Sequence, residues 1–462
     1  MKPIIYKSKK RYEDLELYQR MMECFASAAL IKGRYLDLMN FSKDEYKQVI
    51  DPKVVEQIFR PEHGYTSPDG SLELSSLIKK LEILRLIKNN NLSKKAANKI
   101  ISQTAVGLGN GVTGVISGIF WAVNKINNPV KNEVIIFNPS YPVFEILAKQ
   151  NNLKVKPILT KRENNFLPSF KEIKKNSNNK TAIIILVYPN NPSFTTFQDK
   201  KELKQIVNFC QKNKIFLISD NIYQEMMFNN KKHIEIFSLT NKPDYIIKVF
   251  GPSKDRPFFT GHRLGYYIGD PKIKEEYFNY CANNFVCLGT YAKNIFSLDL
   301  LFRILIYKKS KNINLSDIKL LPPSLRGWMQ NINSKEIYKK INKYKLFEKY
   351  KIAVNYNNNK LKANLNNLSK LIKKSIIFED IINDMGGNAI FVKVNPKYYN
   401  GNDLSFYKHI LLEKKIALYP GNIFGMPIKK GSLWFRFTVI HTSRKKIKKM
   451  LKEIEKYLIN KN

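Results

Sequence analysis

A lysine that directly follows an apolar segment is the first candidate for chemistry in this sequence. Lys254 follows Ser253 and the strand-like run YIIKVF (residues 245–250), and Arg263 stands shortly after it in the sequence GHR. A buried strand that ends on a Ser-Lys pair indicates a lysine held for reaction, as a base or a nucleophile. The arginine that follows is suited to an anion, because its guanidinium presents donors in a planar fork. The spacing predicts both groups at one site.

Further polar residues follow the other predicted strands, at the point where each strand ends. They are Asn138, Ser140 and Tyr141 after the first strand; Pro189, Asn190, Asn191 and Pro192 after the third; Asp220 and Tyr223 after the fourth; and Ser253 and Lys254 after the fifth. In open α/β sheets, ligands bind outside the carboxyl ends of the strands. Four sets of polar residues at four such ends predict a single pocket.

Five short runs of β-branched and apolar residues predict the strands that carry these ends. They are EVIIFN (133–138), LKVKPIL (153–159), AIIILVY (182–188), IFLIS (215–219) and YIIKVF (245–250), each expected to be covered on both faces. Between two of them, DKKELKQIVNFCQKNK has apolar residues at helical spacing and predicts an amphipathic crossover helix. Strand–helix–strand units of this kind predict an α/β fold with a mostly parallel sheet.

The last third of the chain has a different pattern. The stretch KEIYKKINKYKLFEKYKIAVNYNNNKLKANL predicts one long, basic amphipathic helix, and the runs AIFVKV and LWFRFTV predict short strands. A closing helix is predicted at SRKKIKKMLKEIEKYL. This order of elements predicts a smaller α+β lobe beside the main sheet.

Length and composition limit the class of protein. The 462 residues, 44% of them hydrophobic, exceed the usual size of one domain, so two lobes are expected. No apolar run has the length of a membrane span and the first residues do not resemble a signal peptide, so we expect a cytoplasmic protein without a membrane partner. The four cysteines and five histidines are scattered, which predicts neither a metal site nor disulfides.

The net charge of +41 raises the question of a nucleic-acid partner. The lysines are spread over the whole chain among Asn and Ile residues, as in KSKNINLSDIK, and no arginine-rich arm or RNA-binding aromatic pattern accompanies them. A general drift of composition toward Lys, Asn and Ile therefore explains the charge better than a specific nucleic-acid function. Binding to polyanions would then be incidental.

Several segments resemble one family in the right order along the chain. YPNNPS (188–193) resembles an Asn-Pro-x-Asn-Pro-Thr-Gly motif, SDNIYQ (219–224) an Asp-x-x-Tyr motif, and PSKDRPFFTGHR a Ser-x-Ser-Lys motif with a downstream Gly-x-Arg. Further matching segments are GYTSPDGSLEL, GNGVTGVI, NPSYPVF and YPGNIFG with LWFRFT. These motifs are similar to those of the class I and II aminotransferases, which are fold type I enzymes dependent on pyridoxal 5′-phosphate. The resemblance runs from about Tyr65 to Thr438.

The resemblance implies an architecture. A large cofactor-binding domain would occupy residues 63–329, with a mostly parallel seven-stranded sheet between helices. A smaller α+β domain would occupy residues 330–462, and residues 1–62 would form an N-terminal segment belonging to it.

The resemblance also implies catalytic roles. Lys254 would form a Schiff base with the cofactor and, once freed, move a proton; Asp220 would keep the pyridinium nitrogen protonated. Asn191 and Tyr223 would donate hydrogen bonds to the phenolic oxygen, and Tyr141 would stack on the ring. From the residues alone, a surface lysine, a loop aspartate, a turn asparagine and core tyrosines are the alternatives.

Binding roles follow in the same way. For the phosphate, backbone amides of Gly111, Val112 and Thr113 would face the anion at a helix N-terminus, and Ser253 and Arg263 would complete the site. Tyr65 resembles a tyrosine that reaches the phosphate of the neighbouring subunit, which implies a homodimer.

The substrate end of the site would be Arg436. It stands inside the otherwise apolar LWFRFTV, where an unpaired charge is costly. An α-carboxylate would pair with its guanidinium, beside Asn191, and a structural salt bridge is the alternative.

The sequence departs from the family pattern at several positions. Phe194 replaces a usual glycine, Gly251 replaces a hydroxyl-bearing residue, and the interval from Lys254 to Arg263 is one residue longer than usual. The longer interval brings Arg256 and His262 near the site, where they are interpreted as surface residues in preference to accessory groups.

The expected function is amino group transfer from an amino acid to a 2-oxo acid. Because the departures indicate a divergent branch, the alternative is a lyase, cyclase or oxidase of the same fold that uses the same cofactor on an amino acid. A binding or regulatory protein that kept only the fold is disfavoured, because Lys254, Asp220, Asn191, Tyr223 and Arg436 are all present together.

Overall fold

A computed structural model describes residues 46–58, 65–127, 130–228, 232–256, 259–321, 334–382, 386–399, 410, 416, 418–427, 433–439 and 444–460. Two β-sheets organise these residues. The larger has seven strands in the order β1-β7-β6-β5-β4-β2-β3, and the smaller has four in the order β10-β11-β9-β8.

The larger sheet is mostly parallel. Its strands are β1 (Ala105–Asn110), β2 (Glu133–Asn138), β3 (Lys154–Leu159), β4 (Thr181–Val187), β5 (Phe216–Asp220), β6 (Ile246–Phe250) and β7 (Leu264–Gly269). Strand β7 runs antiparallel to both of its neighbours, β1 and β6, whereas the pairs from β6 to β3 are parallel. The mostly parallel sheet predicted from the sequence is therefore confirmed.

Helices cover the larger sheet and complete its core. They are α1 (Pro52–Ile58), α2 (Ser71–Asn90), α3 (Lys94–Ser102), α4 (Gly111–Asn127), α5 (Val143–Gln150), α6 (Phe170–Asn176), α7 (Lys200–Lys212), α8 (Lys274–Phe285), α9 (Thr290–Tyr307) and α10 (Leu315–Ile318). The crossover helix α7 begins where Asp199 caps the amide of Lys201, and it buries the four apolar residues that predicted it. Every residue of β4, β5 and β6 is buried, since helices pack on both faces of the sheet.

Strand β3 corrects one sequence expectation. It was expected to be covered on both faces, but it is the edge strand of the sheet and none of its six residues is fully buried. Lys154 and Lys156 lie on this edge beside Pro157, which lacks an amide hydrogen. Such residues protect an edge strand from pairing with another chain. The prediction was wrong because apolar residues alone do not distinguish an edge strand from a central one.

The smaller sheet belongs to the α+β lobe that the sequence predicted. Its antiparallel strands are β8 (Phe378–Ile382), β9 (Ala389–Val394), β10 (Tyr419–Pro420) and β11 (Trp434–Thr438), and the helices of this region are α11 (Ser334–Lys343), α12 (Leu346–Lys374) and α13 (Arg444–Asn460). The prediction of one long helix from residue 335 is wrong, because two separate helices, α11 and α12, occupy this stretch. The chain turns between them at Lys345, whose φ is 49°.

The division of the chain at residues 62 and 329 stays a prediction. Residues 1–45, 59–64 and 322–333, which include both boundaries, lie outside the described residues. Across the described ranges, none of the helices is long and apolar enough for a bilayer crossing.

Candidate active site

One cavity lies at the carboxyl ends of the central strands. Its volume is about 340 Å³, and it is bounded by the start of α4, the residues after β2, β4, β5 and β6, and strand β11 of the smaller sheet. Its polar side chains are those of Thr113, Tyr141, Asn191, Asp220, Tyr223, Ser253, Lys254, Thr260, Arg263, Asn388, Tyr419, Arg436 and Thr438. The structure therefore brings most of the predicted site residues into one pocket.

Lys254 and Asp220 face this cavity from neighbouring strand ends. Burial lowers the pKa of Lys254 to about 8, and the nearby charges of Arg436 and Arg263 lower it while Asp220 raises it. Burial raises the pKa of Asp220 to about 7, against a hydrogen bond from the amide of Ile222 and the charge of Lys254. An amine with a pKa near neutrality can serve as both a base and a nucleophile.

The start of α4 and the guanidinium of Arg263 give one part of the cavity a positive charge. The residues Val112 and Thr113 line the cavity at the first turn of α4. Gly111 precedes them with a φ of 72°, and a Cβ atom there would lie 2.7 Å from Nη2 of Arg263, so glycine is required. Its amide donates to the carbonyl oxygen of Arg263 at 2.8 Å. Gly111 thus fixes Arg263 against the helix N-terminus, and its own amide hydrogen already has an acceptor.

Gly251 has a steric reason for departing from the family pattern. A Cβ atom at this position would lie 2.8 Å from the carbonyl oxygen of Leu264 and 3.0 Å from Cγ2 of Val112. The chain that leads to Lys254 therefore passes too close to β7 and α4 for a hydroxyl-bearing side chain. Ser253 lines the cavity and is the hydroxyl on this segment.

Arg436 lines the same cavity from strand β11 of the smaller sheet. It is 8% exposed on β11, and its Nη1 atom donates to Oδ1 of Asn191 at 2.6 Å. The rings of Tyr419 and Phe424 flank the guanidinium, with centroids 4.5 and 5.2 Å from Cζ. No described carboxylate forms an ion pair with Arg436, and its Nε atom has no hydrogen-bond partner among the described residues. A buried arginine in this state is suited to an incoming carboxylate.

Tyr223 packs against Phe194, one of the departures from the family pattern, and Gly387 makes room for that phenylalanine. Phe194 is buried with a φ of 54°, and its ring meets the Tyr223 ring edge-on with centroids 5.1 Å apart. Gly387, whose φ is 69°, accommodates the Phe194 ring, because a Cβ atom there would overlap it. A phenylalanine therefore occupies a backbone conformation that favours glycine, and a glycine elsewhere in the chain makes room for it.

Of the remaining residues named in the sequence analysis, Tyr141 lines the cavity, whereas Tyr65, Arg256 and His262 do not. Tyr141 lines the cavity and packs edge-on against Phe144. Tyr65 does not line the cavity of its own chain and is 87% exposed. The interpretation of Arg256 as a surface residue is wrong: it is 4% exposed and donates to the hydroxyl of Tyr350. His262 is half-buried, and its ring lies near those of Phe259 and Tyr291.

Several residues of the site have no predicted role from the sequence, among them Tyr419, Phe424, Thr438 and Asn388. Tyr419 and Phe424 lie in YPGNIFG, a segment that resembles the family but whose residues were given no role in the sequence analysis. Thr438 lies two residues after Arg436 on the same strand, so the period of a β-strand places both on one face. Asn388 precedes β9 and carries no local pattern that marks it.

Comparison with solved structures defines the class of the fold. The crystal structure of aspartate aminotransferase from Thermotoga maritima matches with a TM-score of 0.64 and 22% identity, over 98% of this chain and 99% of that chain. An aminotransferase from Escherichia coli matches with a TM-score of 0.66 and 18% identity, over 98% of both chains. The fold is therefore that of the fold type I aminotransferases.

The sequence comparison places the chain within a family. The model of the family "Aminotransferase class I and II" matches residues 36–291, more than half of the chain. The protein belongs to this family, whose members use pyridoxal 5′-phosphate, and it is a transferase enzyme. The aspartate aminotransferase of T. maritima is 24% identical over 461 residues, 97% of this chain and 98% of that protein. An asparagine–oxo-acid transaminase of Streptococcus mutans is 32% identical over 174 residues, 37% of this chain but only 43% of that protein.

Proposed function

We propose that this protein transfers the amino group of an α-amino acid to a 2-oxo acid, with pyridoxal 5′-phosphate held at Lys254. The observation that supports this most directly is the pairing of Arg436 with Asn191 in the cavity that Lys254 and Asp220 also face. A carboxylate clamp at one end, an amine in the middle and an anion site at the other end match the groups of an α-amino acid and a phosphorylated cofactor.

The residues present fit this cofactor. Arg263 and the first turn of α4 provide a positive end for a phosphate, since a helix N-terminus carries partial positive charge. Asp220 is 4% exposed, so a cationic ring nitrogen beside it would keep its carboxyl ionised against the effect of burial. Tyr223 and Asn191 are the hydrogen-bond donors for a phenolic oxygen, and Tyr141 is the aromatic ring for stacking. When bound, the cofactor withdraws electrons from the substrate Cα.

The protein's own residues would then orient the substrate and move its proton. Arg436 would hold the α-carboxylate with two hydrogen bonds and so fix the plane of the substrate. Lys254 would remove the proton from Cα, which requires a base with a pKa near neutrality. Arg436 is 8% exposed, and the low polarity around a buried charge strengthens its interaction with a carboxylate.

We further propose that the active unit is a homodimer in which Tyr65 completes the site of the neighbouring subunit. Tyr65 is 87% exposed, precedes the turn at residues 68–69 that leads into α2, and does not line the cavity of its own chain. Other large apolar side chains of this region are also exposed, including Leu72 and Val286. Apolar exposure of this kind is typical of a subunit interface.

The proposal is tested by isolating the protein, reducing it with borohydride and locating the cofactor mass by peptide mapping. We expect a yellow protein whose absorbance band disappears on reduction and a cofactor mass on the peptide that contains Lys254. Incubation with single amino acids and 2-oxo acids, read by mass spectrometry, should yield the exchanged amino and oxo acids. A cofactor mass on another lysine contradicts the site, and products of elimination, cyclisation or oxidation contradict the reaction.

A further inference from the structure

A network of buried charged residues and one tyrosine surrounds the segments that carry Lys254 and Asp220. Its members include Glu82, Arg85, Glu225, Glu235, Lys248, Asp255, Arg256, Asp299, Arg303 and Tyr350. All of them except Glu225 are 5% exposed or less. None of them lines the cavity. Neither the sequence motifs nor the proposed reaction gives these residues a role.

Arg303 of α9 holds the residue that follows Lys254. Its Nη1 and Nη2 atoms bind the two carboxylate oxygens of Asp255 at 2.6 and 3.1 Å, and its Nε atom binds Oδ2 of Asp299 at 2.7 Å. A guanidinium that pairs with both oxygens of a carboxylate fixes its orientation as well as its distance. The backbone that carries Lys254 is therefore fixed to the middle of a long helix.

Arg256 holds the same segment from its other side. Its Nε atom donates to the hydroxyl of Tyr350 at 2.8 Å, and that hydroxyl donates to Oδ1 of Asp299 at 2.6 Å. Its Nη1 atom lies 3.2 Å from Oδ2 of Asp255. The two residues after Lys254 are therefore bound by neighbouring helices: Asp255 pairs with Arg303 of α9, and Arg256 donates to Tyr350 of α12.

Glu225 connects this segment to the loop that carries Asp220 and Tyr223. Its Oε1 atom accepts from Arg85 at 2.6 Å and lies 3.9 Å from Nη1 of Arg303. Phe250, at the end of β6, contacts the same two arginines, whose Cζ atoms lie 4.5 and 5.2 Å from its ring centroid. Arg303 therefore contacts both loops that bring reacting groups to the cavity.

Stability alone does not account for such a network. Removing several charges from water is costly, and apolar residues of similar volume often stabilise a core equally well. What a network of directional bonds provides is one fixed arrangement of the backbone segments that it joins. The two segments joined here are those whose relative position decides the distance between Lys254 and Asp220.

We propose that Arg303 is a positioning residue, which acts through Asp255 and Glu225 to fix Lys254 relative to Asp220 and Tyr223. The inference rests on the proposed function, since it takes Lys254 as the reacting amine. Misplacement of a reacting group by about 1 Å costs on the order of a hundredfold in rate. Lys254 should therefore lose much of its reactivity when the bonds to Arg303 are removed, although Arg303 lies outside the cavity.

The test compares two variants. Arg303→Met removes the hydrogen bonds to Asp255 and Asp299, and Arg303→Lys keeps the positive charge but not the planar guanidinium that binds both oxygens of Asp255. Lys308→Met is the matched control, because Lys308 follows the same helix and pairs with Asp317 at 3.4 Å outside the network. Each protein, with cofactor removed, is treated with an amine-reactive reagent at a series of pH values, and the labelling of Lys254 is measured by peptide mass spectrometry. Turnover and thermal melting are measured on the cofactor-loaded proteins.

For Arg303→Met we expect the midpoint of Lys254 labelling to rise toward that of an ordinary lysine, because a displaced amine is more accessible to water. Asp220, Arg263 and Arg436 face the amine within the cavity and remain in every variant. A rise of about half a pH unit would lower the neutral fraction of Lys254 about threefold at neutral pH. Turnover should fall at least tenfold, Arg303→Lys should recover part of both effects, and Lys308→Met should match the unaltered protein.

A lower melting temperature with an unchanged labelling midpoint and unchanged turnover would overturn the proposal, since Arg303 would then be structural only. If Arg303→Met does not fold, Asp255→Asn decides the question, because it keeps the shape of the side chain and removes the charge and one of the two oxygens that bind Arg303. A shifted Lys254 midpoint in that variant supports the proposal, and an unshifted midpoint overturns it. Failure of the proposed function is distinguishable, because the borohydride experiment would then leave no cofactor on Lys254 of the unaltered protein.

Discussion

At the scale of single residues, Arg436 shows how a buried charge can indicate a ligand. Its guanidinium has an amide oxygen and two aromatic rings as neighbours, and no described carboxylate pairs with it. A structural arginine in a core normally has an acid to balance it. The sequence left a structural ion pair open as an alternative, and the described residues provide no partner for one.

Arg436→Ala should therefore lower kcat/KM for amino acids by about a hundredfold or more, since a desolvated charge pair contributes on the order of 2–5 kcal/mol. The melting temperature should change little, because no buried acid loses its partner. Steady-state kinetics on an amino acid and on its decarboxylated amine provide the measurement. The amine should react equally poorly with both proteins. A much lower melting temperature with unchanged kcat/KM for amino acids would show that Arg436 has a structural role instead.

Asp220→Asn should retain the cofactor and lose most of its turnover. An asparagine fills the same space, but its neutral amide does not stabilise a positive ring nitrogen. Cofactor content by absorbance and turnover by product mass are measured on the same preparation. Near-normal turnover with full cofactor content would remove Asp220 from the mechanism.

Asp220 also predicts a pH dependence for the cofactor-free protein. Its pKa in the folded state is about 7, above its ordinary value of 3.8, so the folded protein binds this proton more tightly than the unfolded chain. Protonated Asp220 therefore adds up to about 4 kcal/mol to the free energy of unfolding. This contribution is fully present below about pH 4 and is lost as the pH rises to about 7. Thermal melts at pH 5 and pH 8 should show a loss that Asp220→Asn does not share. An equal loss in both proteins would assign the effect to other groups.

Residues within short motifs could be predicted from the sequence, and residues of the buried network could not. Asp220 is the last residue of the apolar strand β5, and Lys254 stands four residues after the end of β6, so their place at a strand end follows from local pattern. The burial of Arg256 depends on Tyr350 and Asp299, which lie far away in the sequence. Lys248 does indicate such a network from the sequence, because a lysine in the middle of the buried strand β6 requires buried acidic residues to pair with it.

At the scale of elements, the pairing of Phe194 with Gly387 joins the two lobes under Tyr223. Gly387→Ala should destabilise the protein by about 3 kcal/mol or more, because the added Cβ overlaps a buried ring and the backbone has a positive φ. In Phe194→Ala, the ring is absent and the overlap is relieved. The double variant should therefore be more stable than the sum of the two single changes predicts, by about 1 kcal/mol or more.

Denaturant unfolding of the four proteins measures this coupling. Gly289→Ala is the control, since a Cβ atom there has no neighbour within 4 Å, and it should change the free energy of unfolding by no more than about 1 kcal/mol, the effect of altering the N-cap of α9. Additive effects of Phe194→Ala and Gly387→Ala would show that the two residues do not share one space.

The strands differ in how far the sequence predicted them, and the reason is their composition. Strands β2, β4, β5 and β6 lie within about one residue of their predicted limits, because continuous β-branched runs occur there. Strands β1 (AVGLGN) and β7 (LGYYIG) were not identified individually, since their glycines interrupt the apolar pattern. Their place in the sheet depends on pairing with each other, which is a tertiary contact.

At the scale of the whole molecule, the cavity depends on how the two lobes meet. Lys254 and Asp220 come from the larger sheet, whereas Arg436 comes from the smaller one. Arg162, after β3, pairs with Asp380 on β8 through two hydrogen bonds, and the amide of Ser140 donates to the carbonyl oxygen of Phe424 at 2.9 Å. These bonds join the two lobes and so help to set the distance between Arg436 and Lys254.

The proposed homodimer makes a prediction that one chain alone cannot satisfy. If Tyr65 serves the neighbouring subunit, a dimer of one Lys254→Ala chain and one Tyr65→Ala chain contains one site with both defects and one site with neither. The intact site combines Lys254 of the Tyr65→Ala chain with Tyr65 of the Lys254→Ala chain.

Mixing the two inactive or weakened proteins under conditions that exchange subunits should therefore restore activity. Random exchange makes about half of the dimers mixed, and one of their two sites is intact, so activity should reach roughly a quarter of that of the unaltered protein. The control is a mixture of Lys254→Ala with Asp220→Asn, whose defects lie in the same chain's cavity as Lys254. In that mixed dimer each site retains one defect, because Lys254 and Asp220 line one cavity. Restoration in the control as well, or no restoration with Tyr65→Ala once subunit exchange has been verified by mass, would show that Tyr65 does not cross to the partner.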